Sequence, residues 1–100
     1  MTDVIILAEA KEEIKEATSF YESRDDGLGL DFLSEVELAI KLIEESPKLC
    51  PILEGNLRRC LLKRFPFGIL FYIEPERIVI VAVAHFSRKP GYWKERLQSS

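Results

Sequence analysis

The apolar residues of this chain repeat with a helical period as far as Ser46 and with a strand-like one from Arg58 onward. That switch constrains the chain most, because helices first and strands afterwards lead to an α+β arrangement. In the first part, Ala10, Ile14, Ala17 and Tyr21 recur at spacings of four, three and four, with Phe20 beside them. They make one apolar stripe along an amphipathic helix. The helix is expected to stop by Arg24-Asp25-Asp26-Gly27, where glycine can take the left-handed conformation that ends helices. A second helix is expected after Gly29, with Leu33, Val36, Ile40 and Ile43 as its stripe. It ends near Ser46, since Pro47 disfavours helical geometry in the residue before it. So short a link predicts an antiparallel helical hairpin.

Ahead of the hairpin, Val4-Ile5-Ile6-Leu7 reads as a strand. Residues 47–57 are expected to be irregular connection. Arg58 to Phe65 forms one run, Phe65-Pro66-Phe67-Gly68 a turn, and Ile69 to Ile73 a second run. Glu74-Pro75-Glu76 is another turn, with proline pre-set for it, and Ile78 to Ala84 is a third run. Connections this close make an antiparallel meander, giving the order β-α-α-β-β-β. The last two runs are apolar at both parities, so both faces of the sheet centre need a cover. The helices supply one. The other is the C-terminal tail or something outside the monomer; a short helix is compatible with the tail after Pro90-Gly91.

One hundred residues predict a single domain over residues 1–100. The N-terminal segment has no basic leader and its apolar run stops at Glu9, unlike a signal peptide. No run approaches the roughly 20 apolar residues of a membrane span. The expectation is a cytoplasmic protein with no membrane partner. Cys50 and Cys60 lack metal-ligand spacing, and with one histidine in the chain no metal or other cofactor is expected. Both cysteines are expected to be free thiols packed as small hydrophobes.

The net charge of -3 conceals an asymmetry. Residues 1–50 carry 13 acidic and five basic side chains, while residues 51–100 carry nine basic and four acidic ones. A basic C-terminal half suits an acidic partner.

Three clusters in that half could carry chemistry. Arg58, Arg59, Lys63 and Arg64 lie on the first meander run. Strand alternation sends Arg59 and Lys63 to one face and Arg58 and Arg64 to the other. They suit phosphate or carboxylate binding, or else edge charges that block strand-to-strand aggregation. His85 ends the last run, as a proton-transfer group or as a hydrogen-bonded anchor for the tail. Arg88, Tyr92, Trp93 and Arg96 are residue types enriched at binding hot spots. Against that, Trp93 is expected to fold back over the open sheet face. Gly27-Leu28-Gly29 lies between helices and is a turn, not a nucleotide fingerprint.

The whole pattern resembles the RelE/ParE superfamily of type II toxin–antitoxin toxins. The likeness is carried by Ala17 to Glu22, Gly29 to Glu37, Arg58 to Arg64, the Phe65-Pro66-Phe67-Gly68-Ile69 turn and strand, and the tail His85-x-x-Arg88-x-Pro90-x-x-Trp93. The resemblance implies a small toxin held inactive by a cognate antitoxin, with no cofactor. RelE-like members cut mRNA at the ribosome; here Arg59, Arg64, His85 and Tyr92 would be the residues available for that chemistry. ParE-like members inhibit DNA gyrase and lack that set. This chain is acidic, with pI ≈ 5.2, and its tail looks more ParE-like. The favoured expectation is therefore a non-enzymatic toxin of the plasmid-stabilisation type that binds gyrase. Arg59, Lys63, Arg64, Arg88, Tyr92, Trp93 and Arg96 would form its target or antitoxin surface. The alternatives are a ribosome-dependent mRNA endoribonuclease and an inactive homologue that retains antitoxin binding. A homodimer stays open.

Overall fold

The computed structural model describes residues 3–98. In chain order it comprises β1 (Asp3–Ile6), α1 (Ala8–Arg24), α2 (Leu28–Glu45), a 3-10 turn (Pro47–Leu49), β2 (Ile52–Glu54), β3 (Leu57–Leu61), β4 (Phe67–Ile73), β5 (Arg77–His85) and α3 (Lys94–Gln98). The strands form one sheet in the order β1-β5-β4-β3-β2. β3, β4 and β5 are the expected antiparallel meander, whereas β1 returns to pair parallel with β5, Val4 opposite Ile78 and Ile6 opposite Ile80. The α+β class and the element order follow the sequence pattern, with the short C-terminal helix present.

Local boundaries differ from expectation for identifiable reasons. α2 begins at Leu28, ahead of Gly29, because Gly27 takes the left-handed conformation (φ 87°). The Glu22 carboxylate then accepts the amides of Gly27 and Gly29 at 3.1 and 3.0 Å, tying the link to α1. Gly29 faces α1 so closely that a Cβ would lie 2.7 Å from the Thr18 carbonyl oxygen. It is a helix-contact residue. Part of the expected irregular connection is strand β2, paired to β3 through Ile52 opposite Arg58. β3 stops at Leu61 instead of reaching Phe65, because the amides of Lys63 and Arg64 both turn to the Glu35 carboxylate on α2, at 3.0 and 3.1 Å.

The sheet buries both faces. On the helix side, Phe32, Val36 and Ile43 of α2 pack with Ile69, Phe71, Ile78 and Ile80, all almost fully buried. On the other side, Leu57, Leu70, Val79, Val81 and Ala82 lie under Trp93, itself 6% exposed. The tail is thus the second cover. A bulge in β5 helps: Leu70 pairs with Ala82 but Phe71 pairs with Ile80, so Val81 is the extra residue. Extra residues of this kind break the alternation of a strand. Val81 and Ala82 consequently both join the Trp93 face. No helix among the described residues is long and apolar enough to cross a membrane.

Candidate functional site

Where β3, β4 and β5 meet the tail on the Trp93 side, a groove of about 220 Å³ opens. Trp93 and Leu70 line it, with Leu53 and Glu54 of β2 to one side and the segment from Phe86 to Tyr92 to the other. Arg59 enters it from β3. Its half-buried side chain crosses Gly68 on the paired strand, and a Cβ there would sit 3.0 Å from both Cγ and Cδ of Arg59. The glycine is therefore the floor that admits the arginine stem. No carboxylate among the described residues pairs with the Arg59 guanidinium, which leaves its fork of donors for an anion. Arg88 and Lys89 add charge to the same rim. Glu54, the acid beside the groove, is held by Lys94 at 3.3 Å.

Arg58 and Arg64 are spoken for inside the fold, while the Lys63 side chain is exposed. Arg58 faces the helix side, where its Nη1 donates to the carbonyl of Cys50 at 2.7 Å and to that of Lys48 at 3.4 Å. Arg64 forms an ion pair with Glu35 at 2.6 Å, and Lys63 lies beside it along α2. Burial alone would raise the Glu35 pKa. The amides of Arg64 and Lys63 and the Arg64 guanidinium outweigh that and hold it below the ordinary value. Alternation places Arg59 and Arg58 on opposite faces as expected, but Lys63 and Arg64 lie past the end of the strand.

His85 pairs with Phe67, and its ring stands edge-on to the Phe67 ring at 5.0 Å, against the helix-side core. His85 also borders the groove that Arg59 enters, with its ring turned to the helix side. The His85 Nδ1 accepts the Ser87 amide at 2.9 Å and also contacts the Ser87 hydroxyl at 2.7 Å. An Nδ1 that accepts an amide proton leaves the neutral ring's hydrogen on Nε2. In this arrangement neither ring nitrogen offers a free lone pair to a substrate hydroxyl.

The tail is organised by a residue that sequence reasoning missed, Glu13 of α1. β1 covers β5 only as far as Ile80, where the Leu7 amide makes the last bond, at 3.0 Å. Beyond it Glu13 takes over the open edge, accepting the Val83 amide at 3.0 Å, while Arg96 donates to the Val81 carbonyl at 3.0 Å. Arg96 grips Glu13 through Nη1 and Nη2, at 2.8 and 3.1 Å, and Tyr92 donates its hydroxyl to the same carboxylate. Arg88 stacks on the Tyr92 ring at 3.9 Å. Burial, and then the bond to Glu13, push the Tyr92 hydroxyl well above its ordinary pKa. The signal for Glu13 lay in its spacing. It follows Ala10 by three and precedes Ala17 by four, which puts a charge on the edge of the buried stripe.

With this geometry in hand, the class is a small α+β protein with a cationic groove behind a folded-back tail. A family model described as "ParE toxin of type II toxin-antitoxin system, parDE" matches residues 4–90. The chain belongs to the ParE toxin family. A solved structure titled "Chromosomal ParDE TA system from P. aeruginosa" superposes with a TM-score of 0.73 at 17% identity, covering 85% of this chain and 96% of the other. That likeness is one of fold. No curated protein matches by sequence.

Proposed function

We propose that this chain is a toxin that binds and inhibits a macromolecular target, DNA gyrase, without cleaving RNA, and that a cognate antitoxin neutralises it. The observation that carries the reading is that three of the four residues an RNase would need are committed to partners within the fold. Arg59 lies in the groove with His85 and Tyr92 at its border, but the His85 ring stands against Phe67 with Nδ1 held by Ser87, the Tyr92 hydroxyl is bound to Glu13, and Arg64 lies apart on Glu35. General acid–base catalysis needs each group within hydrogen-bond reach of the proton it transfers, with its lone pair or proton available. Of the four, only the Arg59 side chain is left uncommitted among the described residues. What remains is a recognition surface: an arginine with no ion-pair partner among the described residues, in a groove also lined by Trp93, suited to a carboxylate on a protein partner. Membership of the ParE family supports gyrase as that partner.

The test is a supercoiling assay with purified toxin. Inhibition is expected, and both Arg59→Ala and Gly68→Ala should weaken it by about tenfold or more, the loss of one charge-assisted contact. His85→Ala should keep it. No inhibition well above the antitoxin's affinity sinks the gyrase reading. Ribosomal transcript cleavage abolished by His85→Ala would replace it with the endoribonuclease. Absence of growth arrest on induced expression would leave an inactive homologue.

A further inference from the structure

Cys50 and Cys60 are 3% and 7% exposed, and both thiols are free. Strand register brings them together. Ile52 pairs with Arg58, and the Arg59 amide donates to the Pro51 carbonyl at 3.0 Å, so the ladder continues one residue past the start of β2. One step further, Cys50 stands opposite Cys60. Because Pro51 and Arg59 are joined by a ladder bond, the next pair is of the non-hydrogen-bonded kind. Cα atoms at such positions approach to about 4.5 Å, with their side chains closest. That falls within the roughly 4.4–6.8 Å over which a disulfide can form. Arg58 fixes the geometry from the same face by holding the Cys50 carbonyl. The Cys60 thiol is pushed up to about 12, first by burial and then by its hydrogen bond with Cys50. A route to solvent exists as well: Cys60 lines a second groove, of about 270 Å³, between α2 and β3, walled by Leu38, Leu42 and Leu61.

We propose that Cys50 and Cys60 form an oxidisable pair that closes to a cross-strand disulfide within the folded protein, with a small-molecule disulfide of the glutathione type as oxidant. The Cys60 thiolate attacks one sulfur of the oxidant and expels the other half as a thiolate. The Cys50 thiolate then attacks the Cys60 sulfur of the mixed disulfide and expels the second half. The two protons lost by the cysteines end on the two expelled thiols. Two cysteines are oxidised and one small disulfide is reduced, so atoms and electrons balance. The bond would pin the segment leading into β2 to β3, and with it the Leu53–Glu54 side of the groove that holds Arg59. Because thiolate is the reacting species, the buried pair should respond slowly, to sustained oxidation. The inference does not depend on which target the toxin binds.

The test uses the full chain, folded, incubated with oxidised glutathione at mildly alkaline pH, quenched in acid and examined by intact-mass and peptide mapping. The expected product has lost two hydrogens, carries a Cys50–Cys60 linked peptide and no retained glutathione, and unfolds at a higher temperature. Chain-entropy arguments for so short a loop put the fall in the unfolded fraction at about 100-fold. Cys50→Ser should stop at the mixed disulfide. Separate glutathione adducts on each cysteine at equilibrium would overturn the proposal. So would an internal bond that forms only in denaturant or lowers the unfolding temperature.

Discussion

Replacing Glu13 by alanine should release the tail. The Glu13 side chain is 13% exposed and that of Arg96 14%, so the pair is mostly out of water. Removing one partner of such a pair costs about 3–5 kcal/mol. Arg88, half-exposed and 4.0 Å away, adds nothing to that figure. For a chain of this size each kcal/mol lowers the unfolding midpoint by roughly 4–8 °C, so the drop should be at least about 12 °C. Trp93 makes the mechanism visible, being the sole tryptophan and buried under the tail. Its emission should shift to the red in Glu13→Ala at temperatures where the far-UV dichroism is still native. A double-mutant cycle with Arg96→Met should show a coupling of about 2 kcal/mol or more. A midpoint within about 4 °C of the parent, with unchanged tryptophan emission, would refute the reasoning. So would strictly additive effects of the two substitutions.

Gly29→Ala should cost about 1–3 kcal/mol, since its Cβ would meet backbone oxygen of α1 and the helices would have to part; urea unfolding measures it. Alkali should destabilise the protein. Burial raises the pKa of Tyr21 and, with Glu13, that of Tyr92, and it pushes Cys60 up to about 12. The stability these groups confer is full below their unfolded values and is lost as pH rises towards the folded ones. Urea midpoints should fall above about pH 9 through Cys60 and more steeply above about pH 10 through the tyrosines, and the second fall should be less steep in Tyr92→Phe. Glu35 works in the opposite sense. Its lowered pKa contributes stability above the ordinary glutamate value that disappears as pH falls through the folded one. Glu35→Gln should flatten the acid limb of the stability profile.

The element order could be read from the sequence because the switch from period 3.6 to alternation is strong and local. The second cover of the sheet could be anticipated from β4 and β5, whose apolar residues occupy both parities. The parallel return of β1 could not, since nothing in Val4 to Leu7 says which strand it will meet. β2 was invisible for a related reason: its three exposed residues carry no burial pattern. For the site, residue type located the cationic half but not the use of each cation. Arg64 and Arg59 look alike in sequence. Glu35, 29 positions away, takes one of them, and Gly68 gives the other its space. The tail's aromatics and arginines have the composition of a binding hot spot, yet Tyr92 and Arg96 serve the fold through Glu13, some 80 residues earlier.

The pairing of β1 with β5 also sets a timetable. The first strand to be made finds its hydrogen-bonding partner at residues 77–80, and the Glu13 clasp closes only on Arg96. At synthesis rates of about 5–20 residues per second, β1 waits about 4–14 s before its partner exists. Through that interval the helical hairpin lacks β5 to bury its stripe, and the groove that carries Arg59 lacks its tail side. A growing chain therefore completes its sheet, and the tail that covers it, only when almost all of the described residues have been made.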